Sequence, residues 1–172
     1  QIYETKWYAR LNTIKKHFFQ EEKKIPSSAK EKEIFSIKFT YNTQRIEDST
    51  LTLRETANLL ERGITPRAKP IRDIKEAEAH KKVFYETIYY KKDLSLQIVL
   101  YWHKRLFEQT TPEIAGKLRQ HQVAISGSKF LPPSAVEVYL LLEEFFKWYQ
   151  HNKGKIHPVE LAALVHLKFV TI

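Results

Sequence analysis

The pattern of apolar and polar residues along the chain predicts a protein built mainly of α-helices. Over residues 3–19, one apolar face is formed by residues spaced four, three and four apart, namely Trp7, Leu11, Ile14 and Phe18. Similar spacing predicts inward-facing residues in four later helices: Leu53, Ala57 and Leu60; Ile74, Ala77, Phe84 and Ile88; Leu96, Val99, Leu100, His103 and Leu106 or Phe107; and Val138, Leu141, Leu142, Phe145 and Trp148.

Local signals mark where several of these helices begin and end. Thr52 and Glu55 form a capping box, and Ser134 and Glu137 form a second one. Gly63 follows the helix that begins after Thr52, and glycine at that position favours a left-handed stop.

Three segments are less regular. Residues 21–32 are polar and predict a connection. Residues 34–46 alternate like a strand at Phe35, Ile37 and Phe39 but also fit a helix face, so both structures stay open. Residues 120–131 predict a short β-hairpin that turns at Gly127-Ser128 and is closed by Pro132-Pro133.

The last helix begins at His157-Pro158, with proline at a favourable first position. It is apolar on almost every side, which is typical of a helix in the middle of a domain. We therefore expect more chain to pack after it. The chain also begins with Gln and contains no Met, so we expect it to be a fragment at its N-terminus.

Composition narrows the class of protein. Apolar residues make up 42% of the chain, a globular proportion, and no apolar run is long enough to predict a membrane helix. Cysteine is absent, which excludes disulfides and thiol nucleophiles and fits a cytoplasmic location. The net charge of +9 is spread along the chain among acidic residues, which favours solvated helix faces over a nucleic-acid arm.

Self-contained catalytic chemistry is not indicated by the residues themselves. The seven histidines show no metal-ligand spacing, and the chain has no phosphate-binding glycine loop and no nucleophile motif. His103 and His166 lie on apolar faces, where a histidine with its ring nitrogens paired inside the core is the expected role. No metal site is predicted.

Three segments, taken in order, resemble Fic-domain proteins. Residues 43–52 resemble the inhibitory-helix motif, which has Ser or Thr, three residues, Glu, and then Gly or Asn. Residues 123–138 resemble the family's flap hairpin and the helix after it, and residues 157–172 resemble the helix that leads into the active-site loop. The resemblance implies a mostly helical Fic domain with a short β-hairpin flap over residues 35–172, preceded by a helix and connection over 1–34. It also implies that residues 35–46 are helical.

The resemblance further implies an activity, namely transfer of AMP from ATP, with Mg²⁺, to a Ser, Thr or Tyr hydroxyl of a target protein. The family's loop, His-Pro-Phe-x-(Asp or Glu)-Gly-Asn-Gly-Arg, would follow directly after Ile172, so no catalytic residue lies in this chain and the 172 residues alone are expected to be inactive. Glutamate-bearing members can also remove AMP, and the sequence does not decide the direction.

Two groups of residues match the family's regulatory and docking positions. Glu47 matches the inhibitory glutamate, whose carboxylate pairs with an arginine of the missing loop, and Thr43 matches the leading hydroxyl residue. Asp48 departs from the usual Gly or Asn. The flap residues expected to bind a target segment as an added strand are Val123, Ala124, Ile125, Ser126, Gly127 and Ser128.

Several alternatives stay open. Glu47 acting within one chain and acting across a homodimer both fit the sequence. In place of a docking flap, residues 123–129 fit a plain hairpin that caps the helices, and Glu47 fits an exposed helix carboxylate. The alternative to the enzyme is a noncatalytic basic helical module that binds nucleic acid, which is suggested by charge alone because no recognition-helix signature is present. No membrane partner is expected.

Overall fold

The structure, a computed structural model, describes residues 2–24 and 28–172 and confirms the mostly helical prediction. Its helices are α1 (Ile2–Lys24), α2 (Ala29–Ile46), α3 (Leu53–Arg62), α4 (Ile71–Tyr89), α5 (Leu96–Phe107), α6 (Val138–Asn152) and α7 (Pro158–Val170). The ambiguous residues 34–46 are helical, as the resemblance implied for 35–46. The predicted division after residue 34 lies inside α2, and the division itself stays a prediction.

Short-range capping explains several of these boundaries. Ser28 and Glu31 form a capping box at the start of α2, and Thr52 and Glu55 form one at the start of α3. Gly63 ends α3 in the left-handed conformation, as expected. Ser134 and Glu137 do bond to each other, but they close a turn before α6, whose first helical residue is Val138.

The best-packed part of the molecule lies among α2, α3 and α4, which all contact one another. Its central cluster consists of Leu51, Leu59, Ile74 and Ala77, with Leu60 packed against it. The inner face of α3 differs from the predicted one, because Thr56 and Leu59 are buried while Leu53 is 40% exposed. In α4, Ile74 and Ala77 are buried as predicted, whereas Ile88 is exposed.

A chain of pairwise contacts continues from this cluster, with α4 against α5, α5 against α6, and α6 against α7. In α6 the buried residues are Val138, Leu142 and Phe145. The expectation that α7 is buried on every side is wrong for the described residues, since none of its residues is buried. It packs on α6, where Phe169 lies 5.7 Å from Phe145 between ring centroids.

The first helix extends beyond the predicted residue 19, and the polar connection is correspondingly shorter. Tyr8 stacks on His157 at 4.5 Å between ring centroids, and its hydroxyl donates to Glu160 at 2.7 Å, so α1 lies against the start of α7. The predicted apolar face is largely unpacked, with Trp7 67% and Phe18 58% exposed.

Candidate functional site

The end of α2 places Glu47 at a defined position. Glu47 is the C-cap of the helix, and Asp48 follows in the left-handed conformation with φ +63°. The Ser49 amide donates to the Gln44 carbonyl at 3.0 Å. Of the two hydrogen bonds in a Schellman motif, this is the one that spans more residues. Asp48 therefore adopts the backbone conformation that Gly and Asn favour at a helix end.

The residues after Asp48 are held against α4 and the loop before it. The backbone amide and the hydroxyl of Thr50 both donate to the Asp73 carboxylate at 2.7 Å. Lys69 donates to the Thr50 carbonyl at 2.6 Å, and Ser49 and Leu51 are buried. Because the chain is fixed on both sides of Asp48, the position of Glu47 relative to α4 is also fixed.

The capping box of α3 adds a charged group to the same region. The hydrogen bonds from the Thr52 amide and hydroxyl, with the nearby Lys69 ammonium, lower the pKa of Glu55. Lys69 lies 3.4 Å from the Glu55 carboxylate. Lys69 therefore connects the end of the α2–α3 link to the start of α3.

Glu47 itself is exposed, and its carboxylate has no hydrogen-bond or ion-pair partner within the described part of the chain. Thr43 lies one turn earlier on α2 and is half-buried. The geometry thus presents an unpaired carboxylate at the rigid end of a packed helix, an arrangement that suits pairing with a cation.

The interface between α2 and α4 is polar at its centre. Thr40 is 0% exposed, and its hydroxyl lies 2.9 Å from Nδ1 of His80. Burial lowers the pKa of His80. Lys81 donates to Glu33 of α2 at 3.0 Å and to the Leu60 carbonyl of α3 at 2.8 Å, so one ammonium joins three helices. Sequence reasoning missed these residues because isolated polar positions carry no periodic signal.

The predicted flap has the turn but not the strands of a hairpin. The Ser128 amide donates to the Ile125 carbonyl at 3.1 Å, and Gly127 has φ +75°, so the chain reverses where predicted. No strand is assigned anywhere in residues 2–24 and 28–172. Prolines 132 and 133 have no backbone N–H to donate to a ladder, and a two-stranded hairpin is marginal by itself.

Side chains hold the two arms of this loop together in place of a ladder. Gln122 donates to the Pro132 carbonyl at 3.1 Å, and Arg119 donates to the Pro133 carbonyl at 2.6 Å. Residues 123–128 are all exposed, and the amides of residues 123–127 make no backbone hydrogen bond within the described chain. Unpaired, exposed backbone of this kind can accept an added strand.

The loop borders an apolar cavity of about 850 Å³ that lies among α5, α6 and the end of α7. Val123 of the loop and Ile172 both line it. Nearby, Nδ1 of His103 accepts a hydrogen bond from the Gly116 amide at 2.9 Å, and partial burial lowers its pKa. The predicted pairing is therefore found at one ring nitrogen, but His103 is half-buried, and the predicted inward face of α5 contains no buried residue. His166 is exposed, and its predicted core role is wrong.

The two predicted groups of residues are held by different helices. The end of α2 is attached to α3, α4 and the loop between them, whereas the loop of residues 119–136 is attached to the start of α6 and the end of α7. No hydrogen bond or ion pair of the described residues joins Glu47 to that loop.

The described ranges contain no group of three or more His, Cys, Asp or Glu side chains that could hold a metal ion. None of the described helices has the length and apolar character needed to cross a bilayer.

Comparisons with known proteins find similarity to one family. Residues 93–172 match the Fic/DOC family. The chain is 29% identical over 136 residues to proteins called protein adenylyltransferase Fic from Drosophila ananassae and Drosophila melanogaster, an overlap of 77% of this chain and 27% of each relative. The chain thus spans about a quarter of the length of these relatives.

The fold is also that of a solved structure. A Fic domain containing signaling protein from Bacteroides thetaiotaomicron matches with a TM-score of 0.74 and 24% identity. The match covers 89% of this chain and 62% of that one. At this identity the likeness shows the fold.

Proposed function

We propose that this chain is a Fic-domain protein and carries the regulatory and target-docking part of a protein adenylyltransferase, since residues 93–172 match the Fic/DOC family. The reaction is transfer of AMP from ATP to a hydroxyl side chain of a target protein, and removal of AMP is the second direction. The name shared by the Drosophila relatives supports this chemistry. The observation that carries the regulatory part is the unpaired Glu47 carboxylate at the fixed end of α2.

In this proposal Glu47 inhibits the enzyme by pairing with an arginine of the active-site loop. That arginine would otherwise contact the ATP phosphates, so the pair keeps the γ-phosphate out of its productive position. A charge-assisted hydrogen bond contributes about 1.5–3 kcal/mol, which corresponds to roughly tenfold to a hundredfold in occupancy. The Thr50–Asp73 hydrogen bonds and the Thr40–His80 contact support the role by holding both sides of Glu47 in place.

The loop over residues 123–128 docks the target segment in this proposal. Its exposed backbone groups would pair with an extended segment of the target, which gives affinity through main-chain bonds and little sequence selectivity. A target hydroxyl would then be presented in a defined register. The exposed Val123 and Ile125 side chains are available to contact the target's apolar residues.

The chemistry of transfer belongs to residues that the resemblance expects after Ile172. These supply the general-base histidine and the phosphate-binding groups, so we propose that the 172 residues alone are inactive. ATP enters as the substrate, and Mg²⁺ is the ion expected to accompany it. A homodimer and a cytoplasmic location stay predictions from the sequence.

The test uses the full natural protein that contains these residues. Glu47→Gly and Glu47→Gln should both raise self-modification measured with labelled ATP, by about tenfold to a hundredfold, because both remove the carboxylate. Glu61→Gln is the matched control, since Glu61 is another exposed glutamate near a helix end. Unchanged self-modification in both Glu47 variants would show that the inhibitory assignment is wrong.

A further inference from the structure

Arg119 occupies an unusual position, because its guanidinium donates hydrogen bonds to main-chain oxygens from three separate parts of the chain. Nη2 donates to the Pro133 carbonyl at 2.6 Å and to the Ile172 carbonyl at 3.1 Å. Nη1 donates to the His121 carbonyl at 3.5 Å. No Asp or Glu side chain within the described residues pairs with it. The three acceptors belong to the first arm of the loop, its last arm, and the end of α7.

Only an arginine side chain provides this geometry. The guanidinium carries five N–H groups in a fixed plane, so two hydrogens of one nitrogen can point to two different carbonyls while the second nitrogen serves a third. A lysine ammonium at position 119 would lack this fixed fork. Because Pro132 and Pro133 cannot donate to a backbone ladder, the side chain at 119 replaces the missing strand pairing.

We propose that Arg119 is a positioning residue that fixes the target-docking loop against the end of α7. The functional part rests on the proposed function, in which the docked target segment lies on the loop and the active-site residues follow Ile172. One side chain then sets the separation between the target hydroxyl and the reacting groups. Displacing the loop by about 1 Å would lower the rate of transfer strongly, since such misplacements cost up to roughly a hundredfold.

The first measurement is hydrogen exchange of the loop amides in the full natural protein. Arg119→Lys keeps the charge and removes the fork, and Arg119→Gln is a second variant that removes the charge. Lys117→Gln is the matched control, because Lys117 donates only to the Glu113 carbonyl one turn away. We expect the amides of Ser128 and Phe130, which donate to the Ile125 carbonyl and to the Ser128 hydroxyl, to exchange about tenfold faster in both Arg119 variants and at the wild-type rate in the control.

The second measurement separates positioning from general stability. In Arg119→Lys, self-modification with labelled ATP should fall about tenfold or more, while the affinity for a non-hydrolysable ATP analogue stays within about twofold. The amides of α2, α3 and α4 should exchange at the wild-type rate.

Two results would overturn the proposal. One is exchange of the Ser128 and Phe130 amides within about twofold of wild type in both variants, and the other is faster exchange spread equally over α2, α3 and α4. If the wild-type protein transfers no AMP, the proposed function fails, and the exchange measurement alone decides whether Arg119 holds the loop.

Discussion

Substitution of Asp48 tests the backbone conformation that ends α2 and places Glu47. Asp48 has φ +63°, in the left-handed region where a side chain clashes with the following carbonyl. Glycine avoids this clash, and Asp tolerates it better than most residues because its short polar side chain bonds locally. We therefore expect Asp48→Ala to be less stable than Asp48→Gly.

The magnitude can be calibrated within the same chain. Gly63 ends α3 with φ +68°, and a Cβ added there would meet nothing within 4 Å. Gly63→Ala therefore measures the backbone cost alone, which is about 1 kcal/mol. Asp48→Ala should fall below Asp48→Gly by a similar amount, about 1 kcal/mol, or roughly 2–4 °C in Tm for a protein of this size.

The assay is chemical denaturation of both Asp48 variants and of Gly63→Ala, followed by self-modification with labelled ATP. Asp48→Gly should keep the inhibition, since it retains the turn that fixes Glu47. Asp48→Ala should raise the rate, because strain at residue 48 favours states in which the end of α2 is open. Equal stability of the two Asp48 variants, with a normal loss in Gly63→Ala, would refute a left-handed residue 48.

Two further predictions concern the packing around these segments. Burial lowers the pKa of His80 in the folded protein. Below the ordinary histidine pKa of about 6.5, the unfolded chain therefore binds more protons than the folded protein does. The free energy of unfolding then falls as the pH drops below that value, by at most about 1.4 kcal/mol per pH unit. His80→Gln should reduce this slope in urea titrations between about pH 6.5 and 5, and an unaltered slope in His80→Gln would contradict the assignment. Gly116→Ala should destabilise the protein by more than Gly63→Ala, because its Cβ would lie 2.8 Å from Cβ of Lys104 and 3.2 Å from the Leu100 carbonyl; equal losses in denaturation would contradict the close packing.

The starts of α3 and α5 were the most predictable part of the fold, because they depend on residues a few positions apart. Thr52 and Glu55 satisfy each other's orphan groups at the start of α3, and Ser95 accepts from the Ile98 amide at the start of α5. These interactions are set by local geometry and need no knowledge of distant segments.

The partners of apolar faces could not be predicted in the same way. Periodicity shows that Trp7 and Phe18 share a face of α1, yet both are exposed. The helix instead contacts the start of α7 through Tyr8, which stacks on His157 and donates to Glu160. The pattern of a helix states which residues favour burial, but the element that covers them depends on long-range packing. Leu167 and Val170 of α7, which are 58% and 55% exposed, show the same limit.

The two resemblance-based sites differ in what their motifs specify. At the end of α2, the last position of the inhibitory-helix motif is Gly or Asn because the backbone there must adopt a positive φ. Asp48 adopts this conformation, with φ +63°. In the loop, the turn at Gly127 is likewise a backbone requirement and forms as predicted. The relation of the two arms, however, depends on Arg119 and Gln122, whose side chains reach carbonyls ten or more residues away. Whether a substitution in such a motif is tolerated therefore depends on the φ angle that the residue must adopt, more than on its identity. How the two arms of the loop are held together, in contrast, can be known only from the tertiary structure.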